Sequence, residues 1–502
     1  MRQQTFVILG GGTAGWMAAN LLQHHWGHKG VQVQVIDTTQ VGTIGVGEGS
    51  TPQLGQFFRR LGIADADWMP RCHASYKLGI SFLDWSRQPG FERYFHPFPG
   101  DLDDRSRPSY YFNSYLRRRG ADVEAHPDAF FLAAELARQR KAPLPDYNFP
   151  FRQSYGYHFD SALLGEFLRE HARGLGVRHR DLKITGVKLT PEGQVAGLQG
   201  EGDTFVEGDF FIDASGFSSL ILQDALGVPF VSYAENLFND RAVALPSFPD
   251  AKEAMEAQTL SVAMNYGWRW AIPLTHRQGN GYVYSSAYCS ADQAETELRA
   301  ALGLLDSEVE ARHLRMKVGR VAEPWHRNCL AVGLAQGFIE PLEATALHLV
   351  QATVEGFIQA FDSDDDRDSA RQAFNRDINA RFDGVRDYIV AHYRMSRRND
   401  NDYWRDNTGH DHLSDSLKAV LECWFGGADL KQEIKRQGIG NYYSTSSWHC
   451  LLGGLGHFPQ ARHPVETLSP QRIDMSELDD FFSRCALNFP NHRDALASLA
   501  QT

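Results

Sequence analysis

A glycine pattern close to the N-terminus has the residue types and the spacing that hold the phosphates of a dinucleotide. Gly10, Gly12 and Gly15 form G-x-G-x-x-G directly after an apolar, strand-like run. Gly10 permits a tight turn, Gly12 lets the backbone approach a pyrophosphate, and Gly15 lets a helix pack against the strand. The amides that open this helix, at Thr13 and Ala14, then face the phosphates. The pattern predicts an adenine dinucleotide site.

A carboxylate follows the glycines at the distance expected for binding a ribose. The second apolar run, residues 31–36, ends in Asp37. A carboxylate roughly 20 residues beyond the glycines binds a ribose hydroxyl in such sites. The two strands and the helix between them make a complete βαβ unit, which raises the glycine pattern above a chance turn.

Three further segments are candidates for contact with the cofactor. Two buried strands end in small residues, one after Asp213 and one at Gly333, where the backbone can approach a nucleotide. The glycine-rich segment 42–52 contains Gly47 and Glu48 and is expected to be an irregular loop that covers the cofactor.

The order of these elements predicts an α/β fold with a Rossmann-type, dinucleotide-binding core. Residues 1–360 are expected to form this core together with an additional, substrate-facing β-sheet. From 361 to 502 the apolar residues recur mainly at helical spacing. This part is expected to be a mostly helical module that packs on the core and completes the substrate site.

Composition narrows the class of protein. The chain has 502 residues, 42% apolar content and a net charge of −12. Its basic residues are scattered, which argues against nucleic acid as a partner. No run of 18 apolar residues and no signal peptide is evident, so we expect a cytoplasmic protein without a membrane partner.

Cysteine and histidine spacing gives no sign of a metal site. The six cysteines are widely separated and form no C-x-x-C pair. Two histidine clusters, His24, His25 and His28 and then His410 and His412, lack a helical pair of histidines with a general-base glutamate. We expect structural or surface roles for them.

Five motifs occur in order along the chain. They are the opening G-x-G-x-x-G-W with Trp16, G-V-G-E at 45–48, K-L-G-I at 77–80, W-x-W-x-I-P at 268–273 and P-L-E-x-T at 341–345. Taken together, these motifs resemble those of the flavin-dependent halogenases typified by the tryptophan halogenases, and the resemblance covers nearly the whole chain. It implies an FAD-binding, Rossmann-type core of the flavin monooxygenase kind.

The resemblance implies that a separate flavin reductase supplies reduced FAD, which with oxygen converts a bound halide to hypohalous acid. This acid would travel through an internal passage to Lys77, which forms a haloamine or hydrogen-bonds the acid. Glu343 would orient the electrophile and take up a proton from the substituted ring carbon. The resemblance also suggests a homodimer. The residues that would keep the substrate away from the flavin, and so prevent direct oxygen insertion, are Trp268, Trp270, Ile272 and Pro273.

The chain departs from the family pattern near the implied halide site. The family commonly has S-T-G after its glutamate, whereas this chain has Ala344, Thr345 and Ala346. A hydroxyl is lost and a methyl is gained beside the halide position at Thr345 and Ala346. Because desolvating chloride in a less polar site costs more, we expect bromide to be favoured over chloride.

A second departure concerns the aromatic substrate. The tryptophan-specific members carry a helical segment with a glutamate and an F-W pair that bind the amino acid's polar groups. Here segment 441–448 is shorter and lacks the acid, although it ends in Trp448. His96 and Phe98 match the family's stacking residues. We expect an indole or another electron-rich aromatic compound, and not free tryptophan.

Two other functions remain open from the sequence. An FAD monooxygenase that hydroxylates an aromatic ring would use the same nucleotide scaffold but would need neither Lys77 nor the tryptophan pair. A flavin-binding protein without turnover is the third possibility. Taken singly, Lys77 is compatible with a surface charge and Glu343 with a helix cap. Fold analogy alone does not separate these functions.

Overall fold

The computed structural model describes residues 4–38, 47–250, 253–460 and 474–501. The strands of this part of the chain are β1 (Thr5–Leu9), β2 (Gln32–Asp37), β3 (Gly47–Gly49), β4 (Ser75–Lys77), β5 (Gly79–Leu83), β6 (Arg93–Pro97), β7 (Gly156–Asp160), β8 (Arg178–Asp181), β9 (Ile184–Leu189), β10 (Val195–Gly200), β11 (Phe205–Glu207), β12 (Phe210–Asp213), β13 (Phe230–Ser232), β14 (Arg241–Ser247), β15 (Thr259–Met264), β16 (Gly267–Pro273), β17 (Gln278–Tyr284), β18 (Arg312–Arg315), β19 (Gly319–Val321), β20 (Trp325–His326), β21 (Cys329–Ala331) and β22 (Gly337–Phe338). Its α-helices are α1 (Thr13–Trp26), α2 (Gln53–Arg60), α3 (Asp65–Trp68), α4 (Asp103–Arg118), α5 (Leu132–Arg138), α6 (Ser161–Gly174), α7 (Ala291–Leu302), α8 (Ala346–Phe361), α9 (Arg367–Arg394), α10 (Asp402–Gly409), α11 (Asp415–Phe425), α12 (Leu430–Gln437), α13 (Thr445–Gly454), α14 (Met475–Ala486) and α15 (His492–Leu499).

The chain divides into two compact units, each assembled from three separate stretches. The first unit comprises the described residues of Met1–His73, Phe159–Ala234 and Met316–Asp383. The second comprises those of Ala74–His158, Glu235–Arg315 and Gly384–Thr502.

A six-stranded sheet forms the centre of the first unit. Its strand order is β20-β21-β12-β1-β2-β8, and every neighbouring pair except β20 and β21 is parallel. Helix α1 connects β1 to β2 and packs against α6 and α8. Parallel strands joined by a crossover helix form the predicted Rossmann-type βαβ unit. The predicted α/β class is confirmed.

Both faces of this sheet are buried at its central strands β1, β12 and β21, which explains why these strands are apolar at nearly every position. Phe210 and Phe211 are adjacent on β12 and therefore point to opposite faces. Phe210 lies against Phe357 of α8, with ring centroids 5.0 Å apart. Phe211 packs in a cluster with Leu198 from the antiparallel sheet β11-β10-β9. Helices thus cover one face, and a small sheet covers the other.

A second, seven-stranded sheet forms the centre of the second unit. Its strand order is β18-β14-β17-β16-β15-β5-β6, and only β15 and β5 among these neighbours are parallel. This is the additional sheet that the sequence predicts. The segment with the two tryptophans, Gly267–Pro273, is the fourth strand in this order and has a neighbour on each side. The short strand β4 pairs antiparallel with the part of β7 that belongs to the same unit, from Gly156 to His158.

The C-terminal part of the chain is mostly helical, as predicted, from Arg367 to Leu499 in the residues described. Within the second unit, α13 packs against β6 and α14 packs against α5. The helices after Gly384 therefore group with earlier strands, and the compact units have other boundaries than the predicted segments 1–360 and 361–502.

Among the residues that the structure describes, no helix has both the length and the apolar character needed to cross a membrane.

Candidate active site

The glycines of the N-terminal fingerprint allow backbone segments of the first unit to approach closely. Gly10 has a φ of +115°, and a Cβ there would lie 2.2 Å from the carbonyl oxygen of Ala214. A Cβ at Gly15 would lie 2.0 Å from the carbonyl oxygen of Gly10. Gly333, with a φ of +61°, has room for no more than hydrogen because a Cβ would lie 2.6 Å from that of Ala14. No other residue type fits these positions without a shift of the backbone.

Gly12, the remaining glycine of the fingerprint pattern, borders open space instead. A Cβ at Gly12 would meet no atom of the described residues within 4 Å. Helix α1 begins at Thr13, and its first turn contains neither a side-chain cap nor an acidic residue. The Thr13 hydroxyl donates to the carbonyl oxygen of Ser161 at 3.3 Å. A helix start with free amides and an open approach fits the diphosphate of FAD.

Asp37 lies beside this turn, at the carboxyl end of β2. A Cβ on Gly11 would lie 1.8 Å from Oδ2 of Asp37, so the carboxylate borders the fingerprint directly. Its Oδ1 is 2.7 Å from Nε2 of His179 on the neighbouring strand β8. This contact fixes one carboxylate oxygen. The position beside the turn fits the predicted contact with a ribose hydroxyl.

Glu48 is a carboxylate with a shifted pKa in the same unit. Gly47 and Glu48 lie in the short strand β3, whereas residues 42–46 of the predicted covering loop lie outside the described residues. Burial raises the pKa of Glu48 to about 7, a hydrogen bond with Ser161 opposes this rise, and the negative charge of Asp160 adds to it. The side chain therefore changes its charge near neutral pH.

Both carboxylate oxygens of Asp213 accept hydrogen bonds from nearby residues of the first unit. Oδ2 accepts the amides of Ile221 at 2.9 Å and Leu222 at 2.8 Å. Oδ1 accepts the amide of Ser215 at 3.1 Å and its hydroxyl at 2.6 Å. The direct nucleotide contact predicted for Asp213 is therefore revised. We expect this side chain to shape the loop after β12, and the loop backbone to approach the cofactor.

The predicted proton acceptor and halide residues also belong to the first unit. Glu343 ends a single helical turn, Pro341–Glu343, and only 3% of its surface is exposed. Ala344 follows with a φ of +55°, and α8 begins after Thr345. No side chain caps the amides of this helix start, which is a setting that favours an anion. Thr345 is buried and Ala346 is exposed.

Lys77 is a fully buried lysine at the end of β4 in the second unit. Its Nζ lies 5.4 Å from the centroid of the Phe98 ring, which is a cation–π distance. The following residue, Leu78, donates its amide to Ala257 at 2.7 Å and accepts the amide of Phe98 at 2.9 Å. Lys77 is thus not the surface charge that an isolated lysine usually is.

The two tryptophans of β16 lie on one face of the seven-stranded sheet. Trp268 and Trp270 are both buried, and their ring centroids are 6.2 Å apart. Trp270 is opposite Gly281 on β17, where a Cβ would lie 2.1 Å from the indole. Ile272 and Pro273 continue the strand and are buried as well. The glycine thus makes room for a large ring at this place.

Two of the three predicted substrate residues, His96 and Trp448, lie around a tyrosine that the sequence analysis missed, whereas the third, Phe98, lies beside Lys77. The ring of Tyr388, on α9, is 6.1 Å from His96 and 4.9 Å from Trp448. Tyr443 stacks on Tyr388 at 3.5 Å with an interplanar angle of 11°. The Trp448 indole nitrogen has no hydrogen-bond partner in the described part of the chain. This aromatic group, His96, Tyr388, Tyr443 and Trp448, lies entirely within the second unit.

The candidate residues are therefore divided by unit. The cofactor and halide candidates and Glu343 belong to the first unit, whereas Lys77, Phe98, the aromatic group and β16 belong to the second.

The chain matches the family model for tryptophan halogenases over residues 5–471. The chain belongs to the tryptophan halogenase family. It is 35% identical to a 7-chloro-L-tryptophan 6-halogenase, KtzR, from Kutzneria sp. (strain 744), over 98% of this chain and 99% of that protein. It is also similar in structure to the flavin-dependent halogenase BrvH from Brevundimonas sp. BAL3, with a TM-score of 0.84, 32% identity and 99% of both chains covered. The tryptophan 6-halogenase SttH from Streptomyces toxytricini has a TM-score of 0.85 and 32% identity, with 98% of this chain and 99% of that one covered.

These similarities confirm the resemblance drawn from the motifs. As a member of the tryptophan halogenase family, the chain is a flavin-dependent halogenase, an oxidoreductase that uses reduced FAD, oxygen and a halide. The family uses a separate flavin reductase and an aromatic substrate. The halide that this halogenase prefers, its substrate and the roles of its individual residues remain predictions.

Three residues close to this halogenase's candidate site were not found by sequence reasoning. Tyr388 precedes His392 by one helical turn, in the apolar stripe of α9, and that spacing was the available signal. His158 and His492 contact the Lys77 strand from distant positions in the sequence. Nothing in their local patterns separates them from ordinary buried histidines.

Replacing Glu48 with glutamine is expected to change how the Tm of the flavin-free protein depends on pH. The folded protein keeps its proton on Glu48 up to about pH 7, whereas the unfolded chain loses it near pH 4.5. Because the folded state binds more protons in this window, the stabilisation from Glu48 is complete below pH 4.5 and is lost as the pH rises through 7. The Tm of Glu48→Gln should therefore fall less than that of wild type as the pH rises from 4.5 to about 7.

Thermal unfolding at several pH values measures this difference. The exposed carboxylate Glu201 provides a control, and Glu201→Gln should keep the wild-type slope. A Glu48→Gln slope equal to that of wild type would contradict the raised pKa.

Proposed function

We propose that this halogenase transfers halogen, preferably bromine, to an electron-rich aromatic ring such as an indole, and that hypohalous acid held by Lys77 is the halogen source. The observation that carries this proposal is the burial of Lys77 beside the Phe98 ring, in the unit that also contains the aromatic group. A buried ammonium or amine can hydrogen-bond or capture a small neutral electrophile. The family membership supplies the chemistry that makes this electrophile.

The cofactor candidates fit FAD through the open approach at Gly12 and the free amides of α1. When bound, reduced FAD supplies the activation of oxygen that oxidises halide to hypohalous acid. We propose that backbone amides hold its diphosphate and that Asp37 binds its ribose. The remaining proposed contacts come from Gly10, Thr13, Ala14, Gly15, Gly47, Glu48, the loop that Asp213 shapes, and Gly333.

Removal of a proton from the halogenated substrate is assigned to Glu343. Adding a halogen to an aromatic carbon leaves a proton on that carbon, and a base must remove it. Glu343 is buried and is held at the end of a short helical turn, so that few rotamers are open to it. We assign it the tasks of orienting the electrophile and of accepting this proton.

Strand β16, which carries Trp268 and Trp270 and is called the tryptophan strand below, is assigned the task of separating the flavin chemistry from the halogenation of the substrate. Trp268 and Trp270 fill one face of β16, and Ile272 and Pro273 complete the strand. Large buried rings on a sheet strand move little, because their neighbours are close-packed. We propose that they keep the aromatic substrate away from the flavin, so that oxygen is not inserted into its ring.

The aromatic group is assigned to the substrate. Its rings pack on one another, with centroids 3.5 to 6.1 Å apart, and such an aromatic surface is one on which the ring of a substrate stacks favourably. The Trp448 nitrogen, buried and without a partner in the described residues, is a donor that a substrate acceptor can satisfy. Because Tyr388 and Trp448 lie after residue 361, this proposal keeps the predicted role of segment 361–502 in completing the substrate site.

A reaction with a substrate panel tests the proposal. The enzyme, FAD, NADH, a generic flavin reductase and bromide are mixed in air with indole, a phenol or free L-tryptophan, and products are analysed by mass spectrometry. We expect the paired bromine isotope pattern on indole, with a kcat/KM at least about tenfold higher than on free tryptophan, a difference of about 1.4 kcal/mol. The control omits bromide and should give no product.

Two results would contradict the proposal. A hydroxylated product in the absence of halide would indicate a monooxygenase. Efficient bromination of free tryptophan at a single ring position would contradict the proposed substrate class and leave the halogenase activity intact.

Halide choice is predicted from the residues after Glu343. With equal bromide and chloride, wild type should give mainly brominated indole, because the methyl groups of Ala344 and Ala346 replace more polar or smaller groups beside the proposed halide position. The double variant Ala344→Ser, Ala346→Gly should shift the bromo-to-chloro product ratio towards chloride by about threefold or more, roughly 0.7 kcal/mol. Mainly chlorinated product from wild type would refute the preference.

A further inference from the structure

A buried histidine, His158, links the strand that carries Lys77 to the end of the tryptophan strand. His158 is on β7, directly opposite Ser75 on β4, and is fully buried. Its Nδ1 is 3.1 Å from the Ser75 hydroxyl, which in turn donates to the carbonyl oxygen of Pro273 at 2.7 Å. Its Nε2 is 2.9 Å from the hydroxyl of Thr259 at the start of β15. All five residues belong to the second unit.

The chemistry of these groups determines where the protons are. A carbonyl oxygen only accepts, so the Ser75 hydroxyl must give its single hydrogen to Pro273. Ser75 can then only accept from His158, which places a hydrogen on Nδ1. In neutral imidazole the other nitrogen is an acceptor, and Thr259 donates to it. With a neutral His158 ring, every donor in this series of hydrogen bonds has one acceptor.

The surroundings also keep His158 neutral. Burial is the main cause that lowers the pKa of His158, and the positive charge of Lys77 and the nearby His492 lower it further. Lys77 is therefore close enough to act on His158 electrostatically, and a neutral imidazole adds no second positive charge beside it.

Lys77's two neighbours in sequence are fixed separately through the backbone. The amide of Tyr76 donates to Nε2 of His492 at 3.0 Å, while Nδ1 of the same ring donates to the carbonyl oxygen of Glu256 at 3.0 Å. Leu78 is tied to Ala257. These bonds hold the backbone along the sheet, and His158 adds a side-chain link on the Pro273 side.

We propose that His158 is a positioning residue for Lys77. It bonds to Ser75 and Thr259, and Ser75 bonds to Pro273, so that β4 is fixed against the end of the tryptophan strand. This inference rests on the proposed function of Lys77. A shift of a reacting group by about 1 Å costs up to roughly a hundredfold in rate. With β4 released, hypohalous acid would reach a misplaced amine and escape before it meets the substrate ring.

The test measures how much hypobromous acid is used to brominate indole and how much is released into solution. Wild type, His158→Leu, His158→Asn and Ser75→Ala are compared with FAD, a flavin reductase, bromide and indole. Two quantities are recorded, brominated indole per reduced flavin oxidised and free hypobromous acid captured by a bromine-accepting dione. Ser106, a buried serine of the same unit that donates to the Asp103 carbonyl, gives the matched control Ser106→Ala.

We expect His158→Leu and Ser75→Ala to lose about tenfold in brominated indole per flavin, with more free hypobromous acid and a KM for indole within about twofold of wild type. His158→Asn, which can still donate to Ser75, should recover most of the yield. Ser106→Ala should match wild type. Ser75→Ala is a small change, so it decides the question if His158→Leu does not fold.

One result would overturn the inference while the proposed function stands, an unchanged yield per flavin in folded Ser75→Ala and His158→Leu. If flavin oxidation and bromination then fall in equal proportion, His158 and Ser75 have a general structural role. If wild type itself brominates no ring, the proposed function fails, and the inference fails with it.

Discussion

The burial of the Lys77 side chain is the constraint on which the rest of the second unit depends. Removing an ammonium group from water costs several kcal/mol unless neighbouring groups compensate. The Phe98 ring lies at a distance where a cation–π interaction offsets part of that cost, by about 1 to 2 kcal/mol. The backbone and imidazole bonds of β4 keep the lysine in this place. A lysine on a looser strand would turn towards water.

Neutral histidines suit this constraint better than charged ones. Burial lowers the pKa of His492 to about 4, and it also lowers that of His158. Both rings can therefore donate with one nitrogen and accept with the other over the ordinary pH range. They connect elements that are far apart in the chain without adding charge. A carboxylate in place of His158 would attract the Lys77 ammonium and compete with the proposed hydrogen bond to hypohalous acid.

The first unit is governed by a different constraint, the close approach of backbone segments around the proposed diphosphate site. Gly10 and Gly15 are needed because the turn and helix lie so close to the backbone of Ala214 and Gly10, whereas Gly12 leaves the space beside the helix start open. Such requirements are local and leave a pattern in the sequence. For this reason the βαβ unit, the position of Asp37 at the end of β2 and the α/β class could be predicted directly from residue types and spacing.

The candidate site was less accessible to prediction. Lys77, Glu343 and the tryptophan strand could be assigned only through the family motifs, because each residue alone has a commoner structural role. Tyr388 and His158 were missed because their contacts join residues from distant parts of the chain. Asp213 was placed correctly at a strand end, but its oxygens are taken by Ser215, Ile221 and Leu222. Local patterns do not report which partners a buried polar group has.

The most direct test of this account compares wild type with Lys77→Ala and Lys77→Arg in the bromination of indole, with flavin oxidation measured in the same reaction. The account predicts that both variants still oxidise reduced flavin at a rate near that of wild type, while brominated indole falls by about a hundredfold or more. Arginine keeps the charge but not the compact amine, so it should not restore the product. Bromination by Lys77→Ala at the wild-type yield per flavin would contradict the central claim.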